Sequence, residues 1–519
     1  MASGARRQRL SAYNLYDVST HFLSRPLRAA LAAIALIFAL APVLAAEVPA
    51  AEAADAAVQD RGRILLVLPF DNRSGQPSLE WMREAAADLL GRRFASAGFA
   101  PMHRTDRRYA LDHLGLPQNF QPSRASSIKL AETLDADSII VGSFLTDGQN
   151  LVAEARIVNV SSLRMGEPVK ATGPMRSMVD VFDTLAWKLT RQLDPRQNVA
   201  LETFIAAGKN LRVDAYEQYI RGVTEQDQAE RLAHLQQAVK LDPSFGSAWM
   251  ALGREEYAVQ RYDEAASAFA KVGRDDRDAL EASFYRGISQ LFSGDYPGSE
   301  QSFAAVAHLL PLAEVLNNQG VAVSRQNHDG TELFMKAEAA DPTSADYHFN
   351  LAISLKRQGQ MPGALNELQQ ALKLHPADYE AQSLLAAWKA LNGASDSTLE
   401  PLERIERTFD EAAFRQASQM MDQMDEQRMA ALPPVERARK LSAQAGEYLG
   451  RGQLLEAERL YLAAIGDDEH LAAAHAGLAQ IRLRSGATED ARKEAQTALQ
   501  LEPGNAAAQD VLKQTAGHK

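Results

Sequence analysis

Residues 349–376 read FNLAISLKRQGQMPGALNELQQALKLHP, and within them Ala352, Ala364, Leu368, Ala371 and Pro376 stand at offsets 0, 12, 16, 19 and 24. The same offsets recur at Gly287, Ser299, Phe303, Val306 and Pro311, and again at Ala479, Ala491, Ala495, Ala498 and Pro503. Gly253 and Gly287 are 34 residues apart, as are Ala445 and Ala479. A fixed period of this length means stacked units, each too small to bury its own apolar face. The residue types say how a unit is built. Small side chains let the two helices of a hairpin approach closely, the large one fills the gap to the next hairpin, and Pro ends the second helix because it lacks an N–H and clashes with the preceding turn.

Trp249, Leu252, Gly253, Ala265 and Phe269 mark another copy. Shortened copies end at LQQAVKLDP, with Pro243, and at FMKAEAADP, with Pro342, while the copy around Ala445, Ala457, Tyr461 and Ala464 lacks the final Pro. The expected all-α solenoid runs as a first block over 214–392 and a second over 435–515. Between them, 393–434 is a degenerate connector: GASDS, a helix expected over about 408–431 that carries Met420, Met421, Met424 and Met429, and then Pro433-Pro434.

These offsets resemble the tetratricopeptide repeat (TPR). In that family the first helix of each hairpin lines a concave groove, mainly through residues three before, one after and four after the small position. The resemblance therefore implies groove positions at Met250, Arg254 and Tyr257, at Phe284, Ile288 and Leu291, at Asn317, Val321 and Ser324, and at Phe349, Ile353 and Lys356. The Lys and Asn pattern with which the chaperone-binding branch clamps a terminal carboxylate is missing. An apolar groove suits an amphipathic helix or an apolar segment of a protein partner, with Phe284 and Phe349 as anchors. The alternative is that these rings pack between helices of a tight superhelix.

A smaller α/β domain is expected over 62–195, joined to the array by a linker at 196–213. ILLVLPF at 64–70 is a short, branched, continuous apolar run, as suits a strand buried on both faces. Turn residues Asn72, Ser74, Gly75 and Pro77 follow, then helical spacing from Leu79 through Trp81, Ala85 and Phe94 to Gly98. A short strand near 99–103, a helix over about 123–134 and the strand DSIIVGSF come next. Asp147-Gly148 then joins that strand to LVAEARIVNV in a hairpin, and a helix from Val179 to Leu193 closes the unit. LPFDNRSG, LAETLDADSIIVGSF and VAEARIVNV, in that order, resemble the TolB amino-terminal-like domain, related in fold to CsgG-type envelope domains. The resemblance implies a non-catalytic binding or assembly module.

Ahead of the domain, residues 1–28 carry Arg6, Arg7, Arg9, Arg25 and Arg28 against Asp17 alone, and Ala29–Ala46 is uncharged. A basic flank before an apolar run with small residues at Ala45 and Ala46 is an export pattern, so 1–46 is read as a signal peptide or an uncleaved membrane anchor. Residues 47–61, Ala-rich and acidic, read as a flexible spacer. Either fate of the leader predicts a periplasmic protein or one anchored in the inner membrane and facing the periplasm.

The charge balance, 55 Lys+Arg against 67 Asp+Glu for a net of −12, disfavours nucleic acid as a partner. Cys is absent, which removes disulfides, thiolate nucleophiles and Cys-ligated metals. The turn at Asn72–Gly75 lacks the Gly-Lys-Ser/Thr of a phosphate-binding loop, and no nucleophile motif occurs. Glu80, Glu84 and Asp88 share a helix face, read as solvated with an Asp88–Arg92 pair, and His470 and His475 are spaced wrongly for a shared metal. No catalytic residue, cofactor or metal is therefore expected. Arg92, Arg93, Arg104, Arg107 and Arg108, with His103, form the densest basic region and a candidate patch for an anionic lipid, an acidic partner or cell-wall polymer. The reading these features favour is an exported, non-enzymatic adaptor that binds a protein or peptide in the repeat groove. The alternative is an envelope sensor whose α/β domain binds a small anionic or cell-wall-derived molecule.

Overall fold

In the computed structural model the described residues are 63–117, 123–274, 276, 278–390, 401–407, 424 and 427–516. The basic and apolar leader, the spacer and all but the end of the Met-bearing connector helix lie outside them. The described residues fall into two compact units: one comprises those within Arg261–Ala270 and Ala279–Asp422, the other those within Ala45–Gln260, Lys271–Asp278 and Gln423–Lys519.

In the second of these units a mixed sheet is built around β1, Ile64–Val67, and β4, Ser138–Thr146, which pair in parallel. The strand β3, Ala100–Pro101, is parallel to β1 on its other side, and the two-residue β2, Asp71–Asn72, runs parallel to the far end of β4. The strand β5, Asn150–Asn159, returns antiparallel to β4, and β6, Val169–Pro174, forms the edge beyond it. The resulting order is β3-β1-β4-β5-β6. The β4–β5 turn is set by Asp147, whose Oδ1 accepts from the amides of Gln149 and Asn150, and by Gly148 at φ 93°.

Helices cover both faces, which is why ILLVLPF is apolar without alternation. Leu66 and Leu68 pack with Ile139 against Ala110 and Leu111 of α2, Arg104–His113, and Leu130 and Ala131 of α3, Arg124–Thr133. The other face carries α1, Trp81–Ser96, and α4, Met178–Leu193. Phe70 meets Phe182 of α4 edge to face at 6.1 Å and lies so close over Gly142 that a Cβ there would be 2.3 Å from its ring.

The α/β domain is then gripped by helices from both ends of the repeat array. The helix α5, Leu201–Gly208, packs on α18, Leu454–Asp467, and α19, Ala472–Ser485, which follow α17, Pro434–Gly450, in the second block. Glu458 of α18, fully buried, accepts the Ala200 amide at 3.0 Å and pairs with Arg482 of α19 at 2.6 Å. The helices α20, Thr488–Leu501, and α21, Ala506–Ala516, end this block. From the first block, α6, Val213–Thr224, lies on α1: the Tyr216 hydroxyl donates to Asp88 Oδ2 at 2.8 Å and lies 3.1 Å from Ala85 O. Its hairpin partner is α7, Gln228–Leu241, capped by Asp227 and followed by α8, Gly246–Ala258.

The other unit is helical: α9, Tyr262–Phe269; α10, Ala279–Ser293; α11, Tyr296–Leu309; α12, Ala313–Arg325; α13, Thr331–Ala340; α14, Ala345–Arg357; α15, Met361–Leu374; and α16, Tyr379–Ala390. Each helix packs on the next. The offset pattern has its physical cause here: a Cβ on Gly287 would lie 2.9 Å from the Phe303 ring, sixteen residues on and fully buried. Phe349, Ala352, Ile353, Ala364, Leu368, Ala371, Ala381, Leu384 and Trp388 form one apolar cluster across α14, α15 and α16. Among the described residues, no helix is long and apolar enough to cross a membrane.

Candidate functional site

The first helices α12 and α14 turn polar residues toward a segment of the same chain, 401–407 (PLERIER), which has no helix or strand of its own. Three asparagines hold its main chain. Asn350 Oδ1 accepts the Arg404 amide at 2.7 Å while its Nδ2 donates to Arg404 O at 2.7 Å. Asn318 repeats the arrangement two residues on, accepting from Glu406 N at 2.9 Å and donating to Glu406 O at 2.8 Å. Asn317 Nδ2 adds a bond to Arg404 O at 3.1 Å, and its Oδ1 accepts from Asn350. All three amides are buried, where each unsatisfied group would cost about 1–3 kcal/mol. Recognition of alternate residues through both N–H and C=O defines an extended segment, read as a neighbouring β-strand would read it.

The side chains of the segment are received as specifically. Glu403, 4% exposed, meets Arg325 at 3.1 Å, Arg357, and the Ser324 hydroxyl. The Arg404 guanidinium lies 3.6 Å over the Phe349 ring and is hydrogen bonded by Asp346, Asp378 and Glu380 at 2.6–3.0 Å. Desolvation works against its charge, but these carboxylates outweigh it and hold its pKa above the ordinary guanidinium value. Burial likewise opposes the Asp378 carboxylate, and the bond from Arg404 keeps it below the usual range. Arg407 ends the register over Phe292 of α10 at 5.3 Å.

Of the residues the sequence pointed to, Asn317, Ser324 and Phe349 touch this segment. Phe284, Ile288, Val321 and Ile353 are enclosed, and Phe284 meets Phe303 edge to face at 5.6 Å within the α10–α11 hairpin. Leu291 is buried, and Lys356 Nζ sits 5.6 Å over Trp388. Met250, Arg254 and Tyr257 lie on α8 in the other unit. The face that meets the segment is thus chiefly amidic and ionic, with the Phe349 and Phe292 rings under its two arginines. Sequence reasoning passed over Asn318 and Asn350, each two residues before the small position of its repeat, and Arg325 and Arg357, each five after it. The signal was their recurrence at one offset in successive repeats.

The basic region of the α/β domain works as internal bracing. Arg92 pairs with Asp88 at 2.6 Å and lies over Tyr219 and Phe245. Arg93 makes two bonds to the fully buried Asp183, at 2.7 and 3.2 Å, tying α1 to α4. Burial pushes the Asp183 carboxyl up to about 6 against the pull of Arg93. Arg104 and Arg107 both reach Glu84, and Arg107 also donates to Val67 O at 3.2 Å. Arg108 lies on the same helix, α2, half-buried. Glu84 and Asp88 therefore face arginines of the fold instead of water. His475 Nδ1 is bonded to Glu494 at 2.7 Å, and His470 is exposed. Among the described residues no group of three His, Cys, Asp or Glu is placed to hold a metal.

Helix hairpins stacked at a 34-residue period, with a face that holds an extended chain, define a helical-repeat scaffold for protein–protein interaction. A family model described as tetratricopeptide repeat matches residues 232–272, 250–314, 349–396 and 442–506, and the repeats of this chain are tetratricopeptide repeats. Among solved structures, the chain is similar to MamA of Desulfovibrio magneticus RS-1, at 20% identity over 32% of this chain and 95% of that one, TM-score 0.29. It is similar also to YrrB, described as a TPR protein with an unusual peptide-binding site, at 17% identity over 38% and 97%, TM-score 0.30. A third similarity is to the LpoB C-terminal domain from Escherichia coli, at 21% identity over 22% and 82%, TM-score 0.20. No curated protein matches the sequence.

Proposed function

We propose that this protein is an exported, non-enzymatic adaptor of the bacterial cell envelope whose first repeat block holds a protein partner by an extended segment. The observation that carries the reading is the paired amide clamp of Asn318 and Asn350, which reads main chain and so accepts a peptide. Asn317, Ser324 and Phe349 would contact the bound segment beside them. The basic and apolar leader at 1–46 supports export, either as a cleaved signal or as an anchor facing the periplasm. The α/β domain, resembling TolB amino-terminal and CsgG-type modules, would dock to a second envelope component, so that one chain raises the effective concentration of two partners near each other.

The test is capture of the tagged full chain after mild crosslinking from cells split into cytoplasm, periplasm and membrane. The expected result is recovery from the envelope with a protein that Asn318→Ala/Asn350→Ala loses while keeping its helical circular dichroism. Recovery from the cytoplasm, or a partner retained by that variant, overturns the proposal.

A further inference from the structure

The recognition elements that hold 401–407 follow the repeat and not the segment. Asn318 and Asn350 occupy one offset in two successive repeats, and Arg325 and Arg357 occupy another. The first pair takes the main chain of Glu406 and Arg404, and the second converges on the Glu403 carboxylate. A strut that merely propped the helices would be seated by apolar side chains of its own, yet Leu402 is 63% exposed and the segment is held through its main chain, Glu403 and Arg404. Three carboxylates on α14, α16 and the turn between α15 and α16 converge on one guanidinium. Such convergence selects Arg over Lys, since five planar donors can be shared among several acceptors.

We infer that the groove recognises the pattern Glu-Arg-x-x-Arg in its partner, and that residues 401–407 occupy it as an internal competitor which the partner displaces. This rests on the reading of the first block as partner-binding. A segment tethered beside its own site competes at an effective concentration in the millimolar range, so the apparent affinity for an outside segment falls in proportion to the open fraction. The partner is then bound only when it is abundant or multivalent, or when the connector is drawn away.

The probe is a fluorescein-labelled peptide of residues 400–408 (EPLERIERT), titrated with the full chain and followed by anisotropy. Glu406→Pro removes one main-chain donor from the internal segment and leaves every groove residue intact. This chain should bind the peptide about tenfold or more tighter than the unaltered protein. A peptide with Glu403 and Arg404 exchanged should not bind, and adding Asn318→Ala/Asn350→Ala should abolish binding. If Glu406→Pro lowers the helical content, Glu403→Ala/Arg404→Ala releases the segment by its side chains and is read in the same way. Equal, weak binding by the released and unaltered chains, or equal binding of the exchanged peptide, overturns the inference. That result together with a captured envelope protein leaves the adaptor reading standing. Tight peptide binding with no captured protein does the reverse.

Discussion

Asn350 and Arg404, 54 residues apart, are joined by two hydrogen bonds of 2.7 Å, one to the amide and one to the carbonyl of the same residue. An asparagine side chain presents an N–H donor and a carbonyl acceptor in the spacing of a peptide unit, with a second N–H that here goes to Asn317, so this pair completes a ladder that has no second strand. Removing it should free the segment. Asn350→Ala is expected to cost the docked segment at least about 1.4 kcal/mol, equivalent to roughly tenfold in its open population. Limited tryptic cleavage after Arg404 and Arg407 reads that population when opening is fast. Cleavage at the unaltered rate would mean the amide contributes nothing to docking.

Phe284→Ala should weaken the fold by about 3–5 kcal/mol, because the ring is fully enclosed against Phe303. Urea denaturation of the full chain measures it as a lowered midpoint of the transition to which this unit contributes. A ring that anchored a partner from the groove would leave that midpoint in place.

Glu458 holds the second repeat block to the helix that follows the α/β domain. With Glu458→Ala, Arg482 keeps its charge in a buried site without its partner and the Ala200 amide loses its acceptor. Stability should fall by about 3–5 kcal/mol, and Glu458→Gln should fall less because it keeps an acceptor. Differential scanning calorimetry compares the two; equal melting of both variants and the unaltered chain would contradict the docking described.

The pKa of His475 is raised chiefly by its hydrogen bond to Glu494, with burial opposing and the Glu469 carbonyl assisting. A base held above its unfolded value binds a proton more tightly in the folded state. Its stabilising contribution is therefore complete below the ordinary imidazole value near 6.5 and is lost as pH rises through the folded value. Melting temperatures of the unaltered chain and His475→Gln, measured from pH 5.5 to 8.5, should converge as pH rises. A gap that is constant or widens with pH would refute the assignment.

What was legible in the sequence was whatever short-range packing dictates. Gly287 faces Phe303 within one hairpin, so their spacing recurs wherever the hairpin recurs. The strand Ile64–Val67 is apolar throughout because helices cover both sides, and the Asp147-Gly148 turn is set by local hydrogen bonds. The edge strand Val169–Pro174 escaped, since one of its faces is wet and its side chains follow no clear period. The engagement of 401–407 escaped for a different reason: its partners lie up to 88 residues away, and two Glu-Arg pairs split by Ile405 have no meaning until Arg325, Arg357 and the three carboxylates surround them. Asn317 could be placed by family position, whereas the clamps at Asn318 and Asn350 required noticing that one polar residue repeats.

The first repeat block holds an extended chain by its main chain. Hydrogen–deuterium exchange of the full protein, resolved to the amides of Arg404 and Glu406, tests it most directly. The amides of Arg404 and Glu406 should be protected well beyond their unstructured rates in the unaltered chain and exchange freely in Asn318→Ala/Asn350→Ala, while α12 and α14 stay protected in both. Exchange of these two amides at the unstructured rate in the unaltered protein would contradict it.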